Sequence, residues 1–404
     1  MNSNGSWKDK LARRNHLGSW VSTLRTEGTR PTISFGGGLP DPASLPTEGI
    51  SKSINHVLNN HAEAALQYGG TEGYEGLREI LAKKLTENGT ALKASNFVIV
   101  NGASSALAHI CSLFVDPGDT VILEDPSYSG SISTIRFAEA KMVGVTMEPD
   151  GPDMDLLGKK LKELAKDKIK PKFFYSIPNF HNPMGSTMSL KKRKALLEYA
   201  REYDFLIIED ETYTALRFDD KHIPSMYSLD KDGHRVVQIG TFSKTLAPGL
   251  RLGWVMGNEE IIEYITSRRT DMGTSPLLAR AIAQFMEDGY YEPHIAKVIE
   301  IYKQKLNALT SELGERCGDI AQWTAPEGGF FLWLNLKKEI EPQALRQACA
   351  EEGVSVITGS NFYLNGGGKD KVRMAFSYVS QGQIEEGVVR VDKVLRRVLS
   401  NKSK

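Results

Sequence analysis

Gly240-Thr241-Phe242-Ser243-Lys244-Thr245-Leu246-Ala247-Pro248-Gly249-Leu250-Arg251-Leu252-Gly253-Trp254, which follows the β-rich run from Arg235 to Ile239, decides how this chain is read. A lysine flanked by hydroxyls and small residues at a strand end, with an arginine seven residues on, suits a buried amine forming a Schiff base beside an anion clamp. Most lysines are exposed. Here Leu246, Leu250, Leu252, Trp254 and Val255 make the surroundings apolar, and desolvation lowers an amine pKa toward neutrality. A neutral amine attacks an aldehyde, which makes Lys244 the candidate nucleophile.

The 404 residues carry 50 Lys+Arg against 50 Asp+Glu, a formal net charge of zero. That length implies two or three domains, or one large and one small. The charge balance leaves no electrostatic footprint for nucleic acid or an anionic membrane, so small-molecule chemistry is expected. Cys111, Cys317 and Cys349 lie far apart, with no C-x-x-C pair and no zinc spacing, as expected for a reducing compartment and no metal site. The polar stretch Met1 to Asn15 lacks the apolar core of a signal peptide. No apolar run of about 18 residues exists to span a bilayer, and a cytoplasmic protein is expected.

Further motifs lie on both sides of the lysine segment. Ile33 to Phe35 runs into Gly36-Gly37-Gly38-Leu39-Pro40, where glycines allow a ligand to approach the backbone. Asn96 to Val100 reads as a strand, followed by Asn101-Gly102-Ala103-Ser104-Ser105 and an apolar helix from about Ala106 to Phe114. Such a strand, turn and helix N-terminus suits an anion. A strand over Asp119 to Glu124 precedes Asp125-Pro126-Ser127-Tyr128, and Lys141 to Met147 is a further strand. Asp155 to Asp167 reads as a charged, solvent-facing helix. Lys172 to Ile177 ends in Pro178-Asn179-Phe180-His181-Asn182-Pro183-Met184-Gly185. Phe205-Leu206-Ile207-Ile208-Glu209-Asp210-Glu211-Thr212-Tyr213 is an apolar strand ending in acids, as in a parallel strand buried on both faces whose carboxyl end meets a ligand. Glu209 and Asp210 compete there on composition. In Val372-Arg373-Met374-Ala375-Phe376-Ser377 a strand arginine needs an anion, and its fork matches a carboxylate. Strands alternating with helices imply an α/β sandwich with a mostly parallel sheet, with Leu252 to Met256 as its antiparallel member.

From about Ile33 to about Ser380 these motifs, in this order, resemble the fold-type I pyridoxal-5'-phosphate (PLP) enzymes, specifically class I/II aminotransferases near the aminoadipate and kynurenine branch. The resemblance implies a large domain with a mostly parallel seven-stranded sheet between helices and a smaller α+β domain. Residues 1–50 would be an N-terminal segment packing with the small domain and active site, 51–289 the PLP-binding domain and 290–404 the small domain. It also implies the site roles. Lys244 is the PLP lysine and the acid–base group. Arg251 grips the phosphate with Thr241, Ser243 and the Ala103 and Ser104 amides, although the family carries glutamines at 104 and 105. Tyr128 stacks on the ring. Asn182 and Tyr213 reach the phenolic oxygen. Asp210, through its Asp-x-x-Tyr spacing, pairs with the ring nitrogen.

Gly37 and Gly38 cover the substrate in the family, and Arg373 holds its α-carboxylate. Tyr68 serves the neighbouring subunit's phosphate, which implies a homodimer with shared sites. His181 and Met184 stand where the family has glutamine and threonine, and His181 is assigned no catalytic role. The implied reaction moves an amino group between an α-amino acid and a 2-oxo acid such as 2-oxoglutarate. Elimination, replacement, cyclisation or oxidation on the same cofactor is the alternative. A regulator's effector domain would need a winged helix, for which about 30 residues before Ile33 leave no room, and no G-x-G-x-x-G marks a nicotinamide site. Aligned on Arg30-Pro31, Ser19 and Ser22 fall on the family's Ser-x-x-Arg, so the distal cation is missing unless Arg25 replaces it one helical turn along. A neutral or aromatic substrate side chain, supported by Phe330, Phe331 and Tyr363, is the expectation.

Overall fold

Segments that are apolar end to end build the central sheet. Runs such as Phe-Val-Ile-Val at 97–100 and Ile-Ile at 207–208 are buried on both faces, as strands between two helical layers must be. Each fully buried Ile, Leu or Phe contributes about 1.5–3 kcal/mol. The computed structural model describes residues 10–12, 14, 32–86 and 90–400. The expected helix at Trp20 to Arg25 lies outside them.

The strands to residue 256 are β1 (Ile33–Ser34), β2 (Phe97–Val100), β3 (Thr120–Asp125), β4 (Lys141–Glu148), β5 (Gly151–Pro152), β6 (Phe173–Ser176), β7 (Leu206–Asp210), β8 (Val236–Thr241) and β9 (Gly253–Met256). Eight of them form one sheet in the order β2-β9-β8-β7-β6-β3-β4-β5. Pairs among β3, β4, β6, β7 and β8 are parallel, and β9 runs antiparallel to both neighbours. The expected seven strands are thus extended by the short edge strand β5, which turns back on β4 through Gly151 at φ +122°.

The helices are α1 (Thr47–Leu66), α2 (Glu75–Leu85), α3 (Ala103–Phe114), α4 (Ser129–Phe137), α5 (Met154–Lys166), α6 (Leu190–Tyr203), α7 (Met226–Leu229), α8 (Glu259–Arg268), α9 (Pro276–Glu287), α10 (Tyr291–Cys317), α11 (Pro342–Glu352) and α12 (Gln381–Ser400). Capping and periodicity explain α5. The Asp153 side chain accepts from the Leu156 amide at 2.9 Å, and Leu157 and Leu161, one turn apart, are buried. That helix is therefore not solvent-facing all round, because its leucine edge lies on the core. None of the described helices is long and apolar enough to cross a membrane.

After α10 the chain forms β10 (Ala321–Gln322), β11 (Phe331–Leu336), β12 (Val354–Ser355), β13 (Ile357–Thr358) and β14 (Lys371–Ala375). Four of these make an antiparallel sheet in the order β10-β11-β14-β13. β12 instead pairs in parallel with β1, which ties the N-terminal segment to this part of the chain. One core cluster joins Ile33 and Phe35 to α10, α11, α12 and this sheet, and two others fill the faces of the large sheet. β3, β6, β7 and β8 end together at Asp125, Ser176, Asp210 and Thr241, with Gly253 opposite Thr241. That rim is where open α/β sheets bind ligands.

Candidate active site

A cavity of about 720 Å³ opens at this rim, a volume ordinary for small-molecule sites. Its wall includes Gly37, Gly38, Ala103, Ser104, Tyr128, Asn182, Asp210, Tyr213, Thr241, Ser243, Lys244, Arg251 and Arg373, residues that the sequence spreads over some 340 positions. Of the candidates among the described residues, all but Phe330 and Tyr68 therefore meet in one place, and Tyr68 is 81 % exposed on its own chain.

Lys244 projects from the turn after β8, partly buried, and its Nζ donates to the Gly38 carbonyl at 2.7 Å. Burial, then the charges of Arg373 and Arg251, lower its pKa from 10.5 to about 8 against the opposing pull of Asp210. About a tenth of the amine is then unprotonated at neutral pH, far more than for an ordinary lysine. A Cβ at Gly38 would lie 2.5 Å from Phe331 Cζ, so any side chain there would force that buried ring to shift.

Strand alternation separates the two acids that competed on composition. Glu209 faces away from the cavity and accepts from the amides of Met226 and Tyr227 and from Gln238 Nε2. Asp210 faces in, 6 % exposed. Its Oδ1 accepts from Thr212 Oγ1 at 2.5 Å and the Thr212 amide at 3.1 Å, and its Oδ2 accepts from Tyr175 Oη at 2.6 Å. Tyr175 in turn accepts from Ser131 Oγ at 2.7 Å. Burial raises the pKa of Asp210 while these donors pull it back. A buried carboxylate with donors on its outer side suits a cationic partner in the cavity.

Beside Lys244 the groups converge as an anion cradle. α3 starts at Ala103, three residues earlier than expected, so Ala103 and Ser104 occupy its first turn, where amides have no intrahelical acceptor. Gly102, at φ +89°, caps it, and a Cβ there would come within 3.0 Å of Arg251 Nη2. Thr241 Oγ1 lies 2.9 Å from Ser243 Oγ, and Arg251 Nη2 donates to the Asn101 carbonyl at 2.7 Å.

Across the cavity the β11–β14–β13 register sets Arg373 between Trp333 and Ile357. The guanidinium lies over Phe331 and Phe362, 4.3 and 4.8 Å from their ring centroids. Its Nη1 donates to Asn182 Oδ1 at 2.8 Å and its Nη2 to the Gly36 carbonyl at 2.5 Å, while Nε is buried with no partner. Burial lowers its pKa to about 10, which leaves it charged at neutral pH. Asn182 also meets Tyr213. His181 is fully buried, with Nε2 3.1 Å from Glu124 Oε2, away from the cavity wall.

Residue-by-residue reading missed Tyr175, Thr212 and Ser131. Thr212, a hydroxyl two residues past the acid, was visible in principle. Tyr175 was not, because its nearness to Asp210 depends on the β6–β7 register, which sets it beside Ile208. Phe331 and Tyr363 line the cavity, but Phe330 does not: alternation turns it into the core against Tyr302, with ring centroids 5.0 Å apart. Ser19, Ser22 and Arg25 lie outside the described residues.

The model of the family aminotransferase class I and II matches residues 37–391. An aromatic-amino-acid aminotransferase of Thermococcus litoralis is 36% identical over 376 residues, 92% of this chain and 90% of that protein. Among solved structures, the α-aminoadipate aminotransferase of Thermus thermophilus, complexed with N-(5'-phosphopyridoxyl)-L-leucine, superposes with a TM-score of 0.89 at 30% identity, covering 98% of this chain and 99% of that one. A multiple substrate aminotransferase from Thermococcus profundus gives the same TM-score at 34% identity, with 97% and 99% covered.

Proposed function

The chain belongs to the class I and II aminotransferases, in the aminoadipate, kynurenine and aromatic branch, and on that premise we propose that Lys244, Asp210 and Arg373 carry its reaction. It is an enzyme that transfers amino groups, and its cofactor is pyridoxal 5'-phosphate. The residues fit that group. The α3 amides, Thr241, Ser243 and Arg251 suit its phosphate, and the Gly102 cradle leaves space for no side chain between them. Asp210 would face the ring nitrogen and Tyr128 the ring, with Asn182 and Tyr213 on the phenolic oxygen. The observation that carries the proposal is a half-buried lysine of lowered pKa between a hydrogen-bonded carboxylate and an arginine whose buried Nε lacks a partner.

When bound, the cofactor supplies an aldehyde and a cationic ring that accepts the electron pair of the substrate Cα–H bond. Lys244 moves the proton between substrate Cα and cofactor C4', a two-position task for one flexible amine. Arg373 grips the α-carboxylate and so fixes which Cα bond faces Lys244. Gly37 and Gly38 close over the substrate and exclude water.

The substrates we propose are a neutral or aromatic amino donor, resting on Phe331 and Tyr363, and 2-oxoglutarate as acceptor. A donor panel with 2-oxoglutarate should favour phenylalanine, kynurenine, leucine or methionine. A clear preference for 2-aminoadipate sinks the donor assignment.

The assembly we propose is a homodimer in the cytoplasm, each chain with a large body of 51–289, a smaller one of 290–404, and 1–50 packing with the smaller body and the active site. Support comes from Leu66, at the end of α1, and from Tyr68 and Met272, 69, 81 and 62 % exposed, the last two on loops that touch where a Cβ at Gly273 would lie 2.8 Å from the Gly70 carbonyl. Tyr68→Phe should weaken cofactor affinity about tenfold, one lost charge-assisted hydrogen bond. Mixing Tyr68→Phe with Lys244→Ala subunits should return one full-affinity, active site per heterodimer. An active monomer in sedimentation counts against it.

A further inference from the structure

The wall of the cavity carries Lys244, Arg251, Arg373, Arg136 and Arg346 against a single acid, Asp210, in a chain whose formal net charge is zero. Three of these cations already have work in the proposed reaction: Lys244 as the amine, Arg251 on the phosphate, Arg373 on the α-carboxylate. Arg136 and Arg346 have none. Neither guanidinium has a hydrogen-bonding or ion-pair partner among the described residues, whereas most arginines of this protein are paired.

Their placement is consistent with one outer anion subsite. Ser129, Ile132, Ser133 and Arg136 all line the cavity and recur at the i, i+3, i+4, i+7 spacing of a single helix face. α4 therefore carries the wall from beside Tyr128 outward by about 10 Å, and Arg136 ends that stripe. Arg346 comes from α11, in the other part of the chain, and contributes to the same wall.

We propose that Arg136 and Arg346 form the subsite for the second carboxylate of a dicarboxylic substrate, the 2-oxo diacid acceptor and its amino acid product, with Arg373 on the first. The proposal rests on the aminotransferase reading and adds the residues that choose the acceptor. A guanidinium fork pairs bidentately with a carboxylate. A donor without a distal charge would instead use the Phe331 and Tyr363 surface and leave both arginines to water, so one cavity serves both halves of the reaction.

Two measurements on the holoenzyme test this. Calorimetry compares glutarate with pentanoate, inert acids of equal length with and without the second carboxylate. Arg136→Ala and Arg346→Ala should each cut the preference for glutarate about tenfold, the double variant further, and Arg136→Lys less than Arg136→Ala. In kinetics with one neutral donor, the ratio of kcat/KM for 2-oxoglutarate to that for 2-oxo-4-methylpentanoate should fall about tenfold in each alanine variant, mainly through KM. An unchanged ratio and unchanged glutarate preference in the double variant overturn the proposal, as does finding the whole loss in Arg25→Ala instead. Wild-type enzyme that turned over neither oxo acid would defeat the aminotransferase assignment, and the glutarate comparison would still read the subsite.

Discussion

Replacing Lys244 by alanine should lower turnover about 10⁴-fold, the upper end of what a positioned acid–base group supplies. The expectation rests on two roles meeting in one atom: Nζ is both the amine held at the cavity wall, 2.7 Å from the Gly38 carbonyl, and a group whose pKa is lowered to about 8. The wild type, reduced with borohydride, should carry the cofactor's mass on the peptide containing Lys244, and the variant should not. Because only the neutral amine attacks, the reactivity of Lys244 toward an aldehyde should rise through pH of about 8 rather than 10.5. A variant keeping a hundredth of wild-type turnover, or a mass addition on another lysine, would refute the assignment. The fold should survive, since the side chain is partly exposed and removing it leaves no buried charge without a partner.

Asp210→Asn should be the next largest loss. The substitution keeps the shape and removes the charge. Two unit charges 4 Å apart at an effective dielectric constant near 20 interact by about 4 kcal/mol, which is roughly a thousandfold in rate. Thr212 and Tyr175 hold the carboxylate in place, so Tyr175→Phe, which removes one donor to Oδ2, should cost only about five- to tenfold. Circular dichroism checks folding and kcat/KM reads the effect. Asp210→Asn within tenfold of wild type would show that the ring nitrogen does not depend on this charge.

Glu209 and Asp210 show how far each level of information reached. Their neighbourhood, an apolar strand ending in acids, was plain from residue order, and so was a ligand at its carboxyl end. Which acid faces the cavity is a matter of strand phase, and two adjacent residues of similar chemistry differ only in the face they occupy. The Asp-x-x-Tyr spacing chose Asp210 by resemblance, and in the structure Asp210 lines the cavity while Glu209 is consumed by the amides of Met226 and Tyr227.

Two long helices escaped the reading for different reasons. α12 has the regular spacing of Ile384, Val388, Val391, Leu395 and Val398, all buried, and periodicity alone would have found it. α1 is mostly polar, with only Ser53, Val57 and Ala65 buried, so it has no strong apolar stripe to detect. It is held by packing against α9, a contact between segments some 220 residues apart.

By itself the sequence determined the local chemistry of this protein: which segments are apolar enough to be buried strands, where glycines open the backbone, and which lysine, carboxylate and arginines stand at strand ends. Those are properties of residue type and near-neighbour order. Only the tertiary structure decided what depends on pairing and phase between distant segments: the eighth strand, the joining of β1 to β12, the Ser131–Tyr175–Asp210 chain, the exclusion of Phe330 from the cavity, and the meeting of Arg136 with Arg346 on one wall. Side-chain direction alternates every residue in a strand and turns about 100° per residue in a helix. A shift of one residue in register would therefore have changed every one of those contacts without changing the composition that the sequence displays.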